Sequence, residues 1–169
     1  MVLTVCMIVP FCLALAAVSD LLTMTIPNKL SLAMVALFLI LAPFSGLAWS
    51  AIGLSVLAAS AVFAVCFALF AFNIMGGGDA KLLTATALWF GFDHSLVVFL
   101  ITVAYAGGGV TLLFLLMRSQ AHTVMAMGVP LPASMATAKK VPYGIAIAIG
   151  GFFTFDQAPI VQWAMHALG

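Results

Sequence analysis

Asp20, Asp79, Asp93 and Asp156 are the four acids of the chain, so carboxylate chemistry in this protein must draw on them. Two facing carboxyls can share a proton, because two negative charges set close together cannot both ionise cheaply. The ionised partner can then take a proton from water while the protonated one polarises a carbonyl. Such a pair hydrolyses peptide bonds without metal or cofactor. Local sequence separates the four acids. Asp79 follows Gly76-Gly77-Gly78 and precedes Lys81. Glycine reaches backbone conformations closed to other residues and lets a second backbone come close, so an extended peptide has room beside this acid. Asp93 and Asp156 lack flanking glycines and read as ordinary interfacial residues.

Other reactive side chains form no constellation. Cys6, Cys12 and Cys66 lie in apolar runs without a CxxC pair and read as small buried hydrophobes. His94, His122 and His166 are scattered without ligand spacing, which gives no support for a metal site.

The elements that must position the acids follow from composition. The chain is 66% hydrophobic and 5% charged, against about 25% charged in soluble domains. No soluble core could hide that much apolar surface, so the lipid bilayer is part of the solvent. The expected fold is all-α, a polytopic membrane helix bundle of about six transmembrane helices at ~20 residues each. It is read as a single integral-membrane domain over 1–169 with no separate soluble domain. A nucleic-acid partner is excluded for want of a basic stripe. The apolar N-terminus has no basic region before it and reads as a retained first span.

Apolar runs and breakers place the spans at about 2–19, 30–47, 49–72, 80–92, 95–117 and 141–156, with a terminal apolar helix over 158–168. The fourth is short and must be tilted, extended or lodged among its neighbours. Alternation of these spans puts all five basic residues on one side. The positive-inside bias makes that side cytoplasmic and places the N-terminus outside. Asp20 and Asp79 then fall at one depth, at the cytoplasmic ends of spans one and four. Asp79 begins a helix, whose N-terminus favours negative charge, and Asp20 ends one. That contrast points to Asp79 as the ionised base and Asp20 as the protonated acid.

Other motifs have structural readings beside functional ones. Ile26-Pro27-Asn28 reads as a turn in which Asn28 caps span two and Pro27 fixes the angle of approach. Lys81 either snorkels to headgroups or tunes substrate binding. Pro142-Tyr143-Gly144 opens span six. Pro142 suits a first helical turn, Gly144 with Gly150-Gly151 allows close packing, and Tyr143 could donate a hydrogen bond near the acids. The Met-containing loop 118–140 reads as a linker, an interfacial helix or a substrate-handling lid.

Taken together, Asp20 with Ile26-Pro27-Asn28, then Gly76-x-Gly78-Asp79-x-Lys81-Leu82, then Pro142-Tyr143-Gly144 resemble the type IV prepilin peptidases. The nearest likeness is to the short form of Flp/Tad-type pilus systems. The resemblance implies a bacterial inner-membrane aspartic endopeptidase. Such enzymes cut the basic leader of a prepilin or pseudopilin substrate at the cytoplasmic face, with Asp20 and Asp79 as the catalytic pair. The paired CxxC motifs of long, bifunctional members have no counterpart here, so neither zinc nor another cofactor is expected and methyltransferase activity is not assigned. Gly76, Gly78, Lys81, Pro27, Asn28, Pro142, Tyr143 and Gly144 are the supporting residues. The GxGD string is shared with presenilin-type intramembrane proteases, which keeps that activity as a rival. A transport or proton-relay protein predicts acids near mid-membrane, and a non-catalytic assembly scaffold predicts function without Asp79.

Overall fold

The computed structural model describes residues 2–119 and 141–166, and all regular secondary structure among them is helical. In chain order the helices are α1 (Val2–Thr23), α2 (Asn28–Leu41), α3 (Trp49–Ala71), α4 (Gly77–Phe90), α5 (His94–Ser119), α6 (Tyr143–Thr154) and α7 (Pro159–His166). Short 3-10 turns, Ala42–Phe44 and Phe155–Gln157, follow α2 and α6. The loop expected to act as a linker or lid lies outside the described residues, apart from the end of α5.

Among the described residues, two helices are long and apolar enough to cross a membrane, over Trp49–Ala71 and His94–Met117. The stretches Tyr143–Gln157 and Pro159–His166, bent by 46° at their junction, form a third candidate crossing. Shorter apolar helices run over Met7–Thr23 and Asn28–Phe44. Their outward faces carry large exposed apolar side chains such as Phe11, Leu32 and Ile40. That surface suits hydrocarbon, where helices satisfy their own backbone groups internally.

The short α4 is enclosed by its neighbours. Its 14 residues rise about 21 Å at ~1.5 Å each, well short of a ~30 Å hydrocarbon core. It packs against α2, α3 and α6, with further contacts to α5 and α7. Leu82, Leu83 and every residue from Ala85 to Phe90 are buried, so this helix forms the axis of the bundle. Its far end is closed by aromatic rings. The Trp89 indole N–H donates to the Met34 carbonyl at 3.2 Å, and Phe38 meets Trp89 edge-on with centroids 5.6 Å apart. Phe90 stacks on Phe99 at 4.5 Å.

Helix ends near the acids are shaped by special backbone. Two non-glycine residues adopt left-handed φ, Met24 at 54° and Asn73 at 57°. Asn73 closes α3: its N–H reaches Phe70 O at 2.9 Å and the Ile74 N–H reaches Leu69 O at 2.9 Å. This is a Schellman ending, with asparagine tolerating the left-handed position usually given to glycine. Met24 ends α1, and its N–H bonds back to Asp20 O at 2.9 Å. Helix α1 therefore runs on past 19, where the first apolar run was expected to stop, and Asp20 stands in its last turns.

Candidate active site

A cavity of about 730 Å³ opens at the end of the bundle where α1 and α3 finish and α4 and α6 begin. Asp20 and Asp79 both line it, together with the glycines 76–78, Asn28 and Tyr143. The two acids are 59 positions apart in sequence, and the packing of both α1 and α4 against α2 and α6 brings them to one space. Asp93 and Asp156 lie elsewhere, both exposed. Asp93 has a local structural use, since its Oδ1 accepts the His94 N–H at 2.7 Å where α5 begins.

Asp20 is 5% exposed and among the few buried polar side chains. Its Oδ2 accepts the Gly144 N–H at 2.7 Å, at the short end of the range for an amide donor. Gly144 is the second residue of α6, after Pro142 in the cap position with φ −71° and ψ 95°. Pro142 thus stands just outside the helix instead of in its first turn. An N–H at that position has no partner within its own helix, so Asp20 supplies what α6 lacks. The contact also depends on the missing side chain. A Cβ on Gly144 would come within 2.9 Å of Asp20 Oδ2 and 3.0 Å of Ile26 Cδ1.

Asp79 is half-buried and occupies the third position of α4, where Gly76 takes the cap position. The acid is therefore in the first turn, at the positive end of the helix dipole. Asp20, by its bond to Gly144, also meets a helix N-terminus. Helix polarity accordingly acts on both acids, and it ceases to separate them as base and acid. What does separate them is enclosure, which is greater for Asp20.

The three glycines before Asp79 each admit a different part of the protein. A Cβ on Gly76 would lie 2.7 Å from Asp79 Oδ2, so the acid folds back over the cap position. One on Gly77 would lie 3.3 Å from the Phe70 ring, and one on Gly78 would lie 3.2 Å from Ile26 Cβ. Room for a substrate backbone was the reason expected for this run. The glycines do line the cavity, and they also let α3 and the segment after α1 close on α4.

Two supporting residues take roles other than those expected. Asn28 is the first residue of α2, with Pro27 in the cap position and no side-chain cap bond. Its Oδ1 instead accepts from Lys81 Nζ at 3.1 Å. Lys81 therefore joins two motifs 53 residues apart instead of reaching only towards headgroups. Tyr143 is half-buried at the cavity wall, and its hydroxyl stands against Gly107 of α5, where a Cβ would collide with it. Sequence reasoning did not single out Thr25, Met24, Leu69, Met75, Thr111 or Val141, which also line the cavity. Thr111 carried no signal, because it sits singly within an apolar helix. Among the described residues no cluster of His, Cys, Asp or Glu has the makings of a metal site.

The model of the type IV leader peptidase family matches residues 7–113. That stretch covers well over half of the chain and carries both cavity acids. The class is thus a membrane-embedded helical peptidase. The chain belongs to the type IV leader peptidase family. No match was found among curated proteins or among solved structures.

Proposed function

We propose that this protein is an aspartic endopeptidase that removes the basic leader of prepilin-like proteins at the cytoplasmic face of a bacterial inner membrane. The observation that carries the reading is the shared cavity of Asp20 and Asp79 in a chain of the leader peptidase family. Six crossings with the N-terminus outside put that cavity on the cytoplasmic side, where a basic leader is held by the positive-inside preference. The likeness of its motifs to the Flp/Tad short form supports a pilin of that type as substrate.

In the proposed reaction the two carboxyls hold one proton between them. Asp79, the more open of the two, takes a proton from a water molecule as its oxygen attacks the scissile carbonyl carbon. Asp20, the more enclosed, carries the shared proton and donates a hydrogen bond to the carbonyl oxygen as negative charge develops there. Collapse of the tetrahedral intermediate breaks the C–N bond, and the proton held on Asp79 passes to the leaving amine. The pair titrates as a unit, so a bell-shaped dependence of kcat/KM on pH is expected.

The test is co-expression with a candidate pilin, followed by the mass of the mature N-terminus. Asp20→Asn and Asp79→Asn should each leave the leader attached while the wild-type chain removes it. Complete processing by either variant overturns the dyad.

A further inference from the structure

We propose that the segment Met24–Asn28 is a strap that sets the two acids in register, and that the Lys81–Asn28 hydrogen bond is its latch. The inference deepens the dyad reading and rests on it. Three separate contacts carry it. Ile26 fills the space over Gly78, with its Cβ 3.2 Å from where a side chain there would start. The same side chain reaches the α6 terminus, its Cδ1 3.0 Å from the corresponding point on Gly144. Lys81 Nζ then holds Asn28 Oδ1 at 3.1 Å, at the end of the strap where α2 begins.

Each contact joins the strap to a helix terminus that bears on an acid. Gly78 immediately precedes Asp79, and Gly144 donates its N–H to Asp20. The strap itself leaves α1 four residues after Asp20, through the left-handed Met24. Ile26 is thus wedged between the N-termini of α4, which bears Asp79, and α6, which holds Asp20, and Pro27 limits the backbone freedom of the chain behind it. Ile26 and the hydrogen bond from the Ser19 hydroxyl of α1 to the Thr25 carbonyl at 2.8 Å hold the first half of the strap, and its second half can still pivot. An attachment at Asn28 removes that freedom, and Lys81 provides it from the exposed face of α4, two positions beyond Asp79. Lys81 and Asn28 are therefore positioning residues, acting on catalysis through the placement of Asp20 relative to Asp79.

The test combines kinetics with a geometric readout that does not depend on activity. Lys81→Met and Asn28→Ala should each lower kcat on the order of tenfold, the scale of a lost hydrogen bond to a charged group, with little change in KM. The double variant should be no slower than either single variant, because both remove one interaction. Lys81→Arg should recover most of the rate, since it keeps a cationic donor. Additive losses, or a change confined to KM, overturn the latch and return Lys81 to substrate binding. In a background lacking Cys6, Cys12 and Cys66, Asn28→Cys with Lys81→Cys should be joined by a short bis-thiol reagent in detergent-solubilised protein. Absence of that cross-link overturns the proposal even if the wild-type chain processes its pilin. If the double-cysteine variant cross-links but the wild-type chain cleaves no prepilin, the strap geometry stands and the peptidase reading is overturned and, with it, the catalytic role of the latch.

Discussion

The two ends of α4 are built on opposite plans. At Trp89 and Phe90 the helix is locked among large rings, with Phe38, Phe99 and Phe155 around it. At Gly76–Asp79 large side chains are absent, and the neighbours that close in are a carboxylate, one ring and the strap. Between helices in a bilayer, association depends on van der Waals packing and hydrogen bonds more than on a hydrophobic drive. The aromatic end therefore holds the bundle by contact area. The glycine end gives up that area and keeps a cavity with two acids in it. One short helix joins a tightly packed anchor to an open cavity.

That contrast can be broken from either end. The largest effect is expected for Asp79→Asn and Asp20→Asn, which should reduce leader removal by about a thousandfold or more if each acts in proton transfer. Thermal unfolding in detergent should stay near wild type for Asp79→Asn, which is half-buried. Trp89→Ala should do the reverse. It deletes a buried ring and is expected to destabilise by on the order of 3 kcal/mol, read as a fall in unfolding temperature, while processing per folded molecule is retained. Gly144→Ala is expected to cost about tenfold in kcat, because a side chain at 2.9 Å from Asp20 Oδ2 must push the acid or the α6 terminus aside. Processing at the wild-type rate in that variant would show that the site tolerates displacement. The smallest effect is expected for Trp89→Phe, which removes the hydrogen bond to Met34 O. Its cost should be about 1 kcal/mol, visible in stability and absent from turnover.

Part of this arrangement was legible before any coordinates. An almost chargeless chain with breakers at regular intervals required an all-helical membrane bundle, and the helices occur close to where the apolar runs placed them. The glycines before Asp79 marked the acid with the unusual backbone, and common sidedness singled out Asp20 as its possible partner. The boundaries were less legible. Helix α1 continues through Asp20 because the left-handed Met24, four residues on, ends it, and nothing in methionine announces that conformation. Helix α4 takes in Gly77 and Gly78, poor helix formers that are held there by Phe70 and Ile26 packing on them.

The roles of Asn28 and Gly144 were hidden for a related reason. Local rules read an asparagine after proline as a cap and a glycine after tyrosine as a packing site. Each proved to have its chief partner far away in sequence, Lys81 for one and Asp20 for the other. Propensity and periodicity act over a few residues, and they carry no information on which distant group arrives.

By itself, then, the sequence determined the solvent, the helical class and the kind of chemistry available. Those follow from residue types and their spacing along the chain. Only the tertiary structure decided that a single cavity holds both Asp20 and Asp79. It alone also decided that both meet helix N-termini and that Ile26 packs against the Gly78 and Gly144 backbone. Helix N–H groups, wedged side chains and the Lys81–Asn28 hydrogen bond act through space, and their geometry exists only once the helices have packed.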